Sequence, residues 1–153
     1  MRQRRRGGDG VSAAAPTRDP RPEVAHGPDG DRVVGSRCEA CGYRLAIKLE
    51  HCPACREPLS AAVFGPGGRI WAVTSVHISV QERPTPYVLA YVDLDDGPRI
   101  LAHVHADPAA VPSVGDRVVL AGLTSAGDPL VRPTSPTAAT DPGHRTGDAR
   151  GSG

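Results

Sequence analysis

Cys38-Glu-Ala-Cys41-Gly42 and Cys52-Pro-Ala-Cys55 decide the first half of the fold. The spacing is Cys-x2-Cys-x10-Cys-x2-Cys. Each Cys-x2-Cys pair makes a tight turn that aims two sulfurs at one point, while amides of the turn donate to the thiolates. Two such knuckles bring four thiolates to tetrahedral angles, about 2.3 Å from a Zn²⁺ ion. Gly42 suits the positive φ that ends a knuckle, and Pro53 stiffens the second one. Four protein ligands leave no open position for water or substrate, so Cys38, Cys41, Cys52 and Cys55 read as a closed structural zinc site, not a catalytic one. Unliganded thiols or iron fit the spacing less well. His51 precedes Cys52, but a complete set of four sulfurs does not need it. The segment 33–62 is therefore expected to be a rubredoxin-like zinc ribbon.

Downstream, from Gly65-Pro66-Gly67-Gly68 onward, short strand-like runs alternate with turn residues. Ile70 to Gln81 alternates with period two: Ile70, Ala72, Thr74, Val76, Ile78 and Val80 share one face, and Trp71, Val73, Ser75 and His77 the other. Tyr87 to Leu94 puts Val88, Ala90, Val92 and Leu94 on one face. Asp95-Asp96-Gly97-Pro98 supplies the chemistry of a tight hairpin. Arg99 to Ala106 returns with Ile100, Ala102 and Val104 inward, Arg117 to Leu123 forms a fourth run, and Pro129 to Arg132 a fifth. About five strands without an amphipathic helix predict a mainly β protein whose residues 63–133 close into a small OB-fold barrel. A sandwich would need about seven strands. A core this small gains needed stability from a metal knot packed against it.

Upstream and downstream of these units the composition changes. Gly and Pro together number 34 in 153 residues, and aromatics make up 3%. Residues 1–32 carry seven Arg against five acids, with Pro16, Pro20, Pro22 and Pro28 breaking helices, and read as a disordered tail. Residues 134–153 read the same way. Residues 33–133 hold nine Lys/Arg against ten Asp/Glu, a net charge of −1, which gives no electrostatic footprint for nucleic acid or an anionic membrane. Arg4-Arg-Arg6 is followed by no apolar run, so neither a signal peptide nor a membrane span is expected. A cytoplasmic protein follows, and in that reducing compartment four clustered cysteines favour metal over disulfides.

The remaining candidates for chemistry are weak. His103 and His105 lie two apart on one strand, with His77 on another, and such a pair can bind metal or exchange protons. Pro108 ends the face before Asp107 can join it, and surface histidines are common on barrels. Asp93, Asp95 and Asp96 lack the spacing and distal Glu of a calcium loop and read as a solvated hairpin. Ser75 and Ser79 sit in no nucleophile motif, and no phosphate-binding glycine pattern appears. Trp71 and Tyr87 are suited either to stacking on a base or to filling the ribbon–barrel junction; core packing is preferred, because few other large apolar side chains are available to fill it.

A ribbon running straight into a short barrel has a family resemblance. Gly68-Arg-Ile-Trp-Ala-Val-Thr-Ser-Val-His77, Pro86-Tyr-Val-Leu-Ala-Tyr-Val-Asp-Leu-Asp-Asp-Gly97, Arg99-Ile-Leu-Ala-His-Val104, Val114-Gly-Asp-Arg-Val-Val119 and Val131-Arg-Pro133 follow the two knuckles in order. Together these strings, about 100 residues, resemble the zinc-ribbon/OB-fold acyl-CoA-associated family, once catalogued as domain of unknown function 35 and found beside thiolases. The chain departs from the family pattern in three places. A Pro/Gly/Arg-rich stretch stands where the family has an N-terminal helical segment. Leu45-Ala-Ile-Lys-Leu49 replaces a Pro-Pro-Arg stretch, and Arg56 stands where a glycine commonly follows the second knuckle.

The resemblance implies a non-catalytic accessory subunit of a thiolase-like, ketosynthase-like or other acyl-CoA-processing enzyme in lipid, steroid or polyketide metabolism. Such a subunit docks its partner and helps shape a channel for CoA thioesters; no CoA-binding residue carries over from the family. The alternative is a single-stranded nucleic-acid-binding module, since ribbons and OB barrels both serve that role. The near-neutral charge of residues 33–133 and their single Lys argue against it. A third reading is a structural interaction module with no acyl ligand.

Overall fold

The computed structural model describes residues 21–79 and 84–134. Among them are nine strands and no helix: β1 (Glu23–Ala25), β2 (Arg32–Arg37), β3 (Arg44–Leu45), β4 (Ser60–Phe64), β5 (Gly67–Val76), β6 (Tyr87–Leu94), β7 (Arg99–Val104), β8 (Arg117–Leu123) and β9 (Pro129–Pro133). The first four form an antiparallel sheet in which β2 pairs with β1, β3 and β4. The last five close into a barrel in the order β5-β6-β7-β9-β8, with β5 returning to pair with β8. Closure leaves no free edge along this ring, and the parallel β7–β9 contact gives the connectivity of an OB fold.

The barrel interior is the expected one. Val88, Ala90, Val92 and Leu94 of β6 and Ile100, Ala102 and Val104 of β7 are buried with Val118, Leu120 and Val131. Alternation holds along these strands because each has one face on the core and one outside. The Asp95–Gly97 segment forms the expected hairpin, closed by a Gly97 amide donating to the Leu94 carbonyl at 3.2 Å. Arg117 then donates twice to the Asp95 carboxylate, at 2.5 and 2.7 Å, tying β8 to that turn. The pairing holds the Asp95 carboxyl below its usual range.

The regular alternation expected over β5 fails at one position. Ile70 pairs with Val92 and Ala72 with Tyr91, so Trp71 is the extra residue of a β-bulge. Beyond it the faces exchange: Val73 packs against the core, whereas Ala72, Thr74 and Val76 pair with the outward Tyr91, Leu89 and Tyr87. Trp71 itself is 53% exposed and does not fill the junction. β5 ends at Val76, leaving Ile78 exposed; Val80 and Gln81 lie outside the described residues, as do the tails 1–20 and 135–153.

The expectation of a featureless tail through residue 32 is corrected over its last part. Glu23, Val24 and Ala25 pair with Val34, Val33 and Arg32, and Val24 packs against the core, so β2 gains a neighbour that satisfies its amides. The ribbon sheet also runs through Phe64. That side chain is wholly buried, and it belongs with Val33 to the same cluster as the barrel core. Gly97 makes this possible, because a Cβ at that position would lie 2.6 Å from the Phe64 Cβ. The Asp96 carboxylate accepts from the Gly65 amide at 2.9 Å, and Arg32 donates to the Gly65 carbonyl, so the same joint is fastened by polar contacts.

The two knuckles are built alike. Cys38 N donates to Tyr43 O and Gly42 N to Cys38 O; equivalently, Cys52 N donates to Glu57 O and Arg56 N to Cys52 O, all at 2.8–2.9 Å. Gly42 has φ +74° and Arg56 has φ +69°. The left-handed region costs a residue bearing a Cβ about 1–2 kcal/mol, so Arg56 occupies a glycine position under strain.

Two stability changes follow. Gly97→Ala is expected to lower unfolding free energy by about 1–3 kcal/mol, seen as a reduced urea midpoint, since overpacking against Phe64 cannot be relieved by a rotamer. Arg56→Gly is expected to raise stability by about 0.5–1 kcal/mol, the relief of left-handed strain less the added freedom of the unfolded chain. A drop in midpoint for Arg56→Gly would mean that the side chain makes a contact worth more than the strain.

Candidate metal centre and the ribbon–barrel seam

The knuckles bring Cys38, Cys41, Cys52 and Cys55 together with all four sulfurs within 4.8 Å of one another. Cys38 Sγ lies 3.5 Å from Cys55 Sγ, and Cys41 Sγ 3.6 Å from Cys52 Sγ. A tetrahedron with metal–sulfur bonds of about 2.3 Å has edges of about 3.8 Å, so the cage has the size a four-thiolate metal ion requires. These separations are far longer than a disulfide bond of about 2.05 Å. Cys38 and Cys52 are buried, and Cys41 and Cys55 face outward. All four sequence-selected cysteines are thus in one place, and they can hold a metal ion.

Electrostatics within the cage distinguish the sulfurs. Burial opposes ionisation of Cys52, but the amides of Cys55 and Ala54 and the neighbouring thiols hold its pKa down to about 7. Cys55 receives the Glu57 amide, yet its thiol serves as donor to Cys38 and is partly desolvated, which pushes it up to about 12. Cys41, despite the Tyr43 amide, is raised for the same reasons. As bare thiols the four cannot all carry charge at neutral pH. In the field of a divalent cation each would be a thiolate.

The loop between the knuckles, Leu45 to Leu49, is held from within. Buried Ser36 donates through Oγ to the Ile47 carbonyl at 3.1 Å and accepts from the Leu49 amide at 3.2 Å. His51 makes a β-bridge with Pro58 and stays exposed, beside the sulfur cage without being required by it.

The histidine candidates are not brought together. His103 lies half-buried on the outer face of β7, stacked on Tyr87 at 5.3 Å between ring centroids, with Nε2 3.7 Å from Asp128 Oδ2. His105 and His77 are exposed beyond the ends of their strands. Among the described residues, the four cysteines form the one cluster of three or more His, Cys, Asp or Glu side chains at ligating distance. Asp93 is engaged by Arg99 at 2.7 and 3.0 Å, which lowers its pKa. Asp95 and Asp96 serve the hairpin described above.

Sequence reasoning missed a hollow of about 430 Å³ at the ribbon–barrel seam, lined by Pro22, Ile47, Leu89, Leu101, His103 and Asp128 among others. Arg21 fixes its rim by donating to the Ala126 carbonyl beside Asp128. Its lining comes from five separate parts of the chain, and no local pattern signals it.

Comparison with known proteins places this architecture. A family model described as ChsH2, C-terminal OB-fold domain, matches residues 62–122. The benzoylsuccinyl-CoA thiolase subunit BbsA of Geobacter metallireducens is 32% identical over 76 residues, 49% of this chain and 51% of BbsA. The chain therefore spans about half the length of that relative. A solved structure titled Ltp2-ChsH2(DUF35) aldolase superposes with a TM-score of 0.57 at 25% identity, covering 68% of this chain and 86% of the other. A DUF35 domain-containing scaffold protein of Methanothermobacter thermautotrophicus is 32% identical over 98 residues, 61% of this chain and 73% of that protein. With that identity and coverage, and with the barrel matched by the OB-fold family model, the chain belongs to the DUF35 family of OB-fold, acyl-CoA-associated proteins.

Proposed function

We propose that the protein is a non-catalytic accessory subunit of a thiolase-like or other acyl-CoA-processing enzyme. In this reading residues 33–62 are a zinc ribbon, residues 63–133 the barrel, and Cys38, Cys41, Cys52 and Cys55 hold a structural Zn²⁺. The protein works in the cytoplasm, docks a thiolase-fold or ketosynthase-like enzyme, and contributes part of the wall along which a CoA thioester passes. The observation that carries the reading is kinship with a protein named as a thiolase subunit and with proteins named as scaffolds. A four-sulfur cage agrees with it, since it offers strength without an open coordination position.

One observation favours the competing reading, a single-stranded nucleic-acid-binding module: Trp71 and Tyr91 are both about half exposed on the barrel. Stacking surfaces of that kind serve nucleic acid only beside uncommitted cations that meet phosphate. Here the neighbouring cation, Arg99, is already paired with the Asp93 carboxylate.

A tagged copy expressed in its native host is expected to retain a thiolase-fold or ketosynthase-like enzyme in near-stoichiometric amount; recovery of the protein alone would sink the reading. Cys52→Ser is expected to remove zinc, measured by elemental analysis against about one ion per chain in the parent. It should also unfold or aggregate the protein, with loss of partner only as a consequence. A variant that keeps its fold and its partner without metal would refute the structural role.

A further inference from the structure

The bulge at Trp71 gathers large side chains on the outside of β5, β6 and β7. Trp71, Tyr91 and Leu101 are 53%, 46% and 47% exposed. Tyr91 is the direct cross-strand neighbour of both Ala72 and Leu101, so the three strands contribute side chains to one continuous face. Trp71 and Tyr91 meet edge to face at 6.3 Å between centroids, and the Arg99 guanidinium lies 3.8 Å above the Trp71 ring. Arg99 uses Nε and Nη2 on Asp93, which leaves its Nη1 uncommitted to that carboxylate. Beside this cluster is an apolar hollow of about 300 Å³, lined by Ala72, Leu89, Tyr91 and Leu101 among others. Leu89 and Leu101 also line the seam hollow, so the two hollows adjoin at these side chains, and the seam hollow reaches on to Ile47 and Pro22.

Exposure of this kind has a cost in water and is not needed for folding, because the residues lie outside the barrel core. Half of each side chain, against about 150–250 Å² for a whole aromatic, leaves on the order of 300 Å² of contiguous apolar surface, the scale at which patches on single chains are functional. That is too little for a whole interface of about 800 Å² per partner, but it suits the anchor at the centre of one. Trp, Tyr and Arg are also the residues that dominate binding energy at such anchors.

We propose that this face, with its two adjoining hollows, is the docking surface for the partner enzyme, receiving an apolar side chain between Leu89, Tyr91 and Leu101 while Arg99 Nη1 donates to a neutral backbone carbonyl beside it. The inference rests on the accessory-subunit reading and names the surface that reading requires. Three features select a protein as the occupant. The relatives are named as a thiolase subunit and as scaffolds, and the solved neighbour as an Ltp2-ChsH2(DUF35) aldolase. Asp93, fixed under Arg99, would repel a phosphate drawn to that guanidinium. The seam hollow crosses from barrel to ribbon, which suits one extended or helical segment better than the symmetric contact a second copy would make.

The test uses the full-length tagged protein and the thiolase-fold enzyme it retains. Leu101→Glu and Trp71→Ala alter exposed side chains and are expected to preserve the strand spectrum and bound metal. Leu101→Glu should reduce retained enzyme at least tenfold and Trp71→Ala several-fold. Val63→Glu, at an equally exposed position on β4 outside both hollows, should leave it unchanged. Equal retention by Leu101→Glu and the parent would overturn the docking surface while leaving the accessory role intact. Absence of any such enzyme from the parent would overturn both. Trp71 is the only tryptophan, so its fluorescence reports the patch directly. Salt-sensitive quenching by oligo-dT, or a dimer abolished by Leu101→Glu, would assign the face to nucleic acid or to a second copy and defeat the proposal.

Discussion

Phe64 seated on Gly97 is the contact on which the two halves of this molecule depend. The ring closes the last strand of the ribbon sheet and is buried in the core of the barrel. Its site exists only because the hairpin opposite has no Cβ there. Without that seat the ribbon would have four short strands and a sulfur cage, and the barrel a small core of Val, Ala, Ile and Leu. Neither half buries much apolar surface alone, and small domains with such cores are marginal. Sharing one cluster makes the ribbon part of the barrel's stability.

The polar contacts at the joint fix its direction. Asp96 accepts from the Gly65 amide, Arg32 donates to the Gly65 carbonyl, and Arg117 grips Asp95 in the same hairpin. These groups are partly solvated, so each pair is worth little as stability. Their effect is geometric: ribbon, hairpin and β8 meet in one arrangement. The seam groove exists because of that arrangement, since its walls come from Pro22 and Ile47 on one side and Leu101 and His103 on the other.

What the sequence disclosed follows the range of the interactions involved. The sulfur cage was legible because its two knuckles are local turns with fixed spacing, and the interiors of β6 and β7 because alternation is written into adjacent residues. β1 was not legible: Glu23-Val-Ala25 is three residues long and becomes a strand only by pairing with β2. Arg56 was visible as a departure from the expected glycine, yet its φ of +69° could be known only from the turn it sits in. The seam groove draws its walls from residues 21 to 129 and has no local signature at all.

The failure at Trp71 is the most instructive, because one inserted residue changes the meaning of several others. Period-two reasoning assumes an unbroken pleat. A bulge breaks it and exchanges the faces of everything that follows, so Val73 goes to the core in place of Ala72. A chain with a single Trp, one Phe and three Tyr would ordinarily bury such a ring. Here the bulge leaves Trp71 outside, where Arg99 covers one face of the indole and Tyr91 packs against it in a T-shaped contact. Those contacts hold the ring in place without removing it from water. A side chain held rigid and left half exposed loses little entropy when something binds it, which is the property an anchor residue needs.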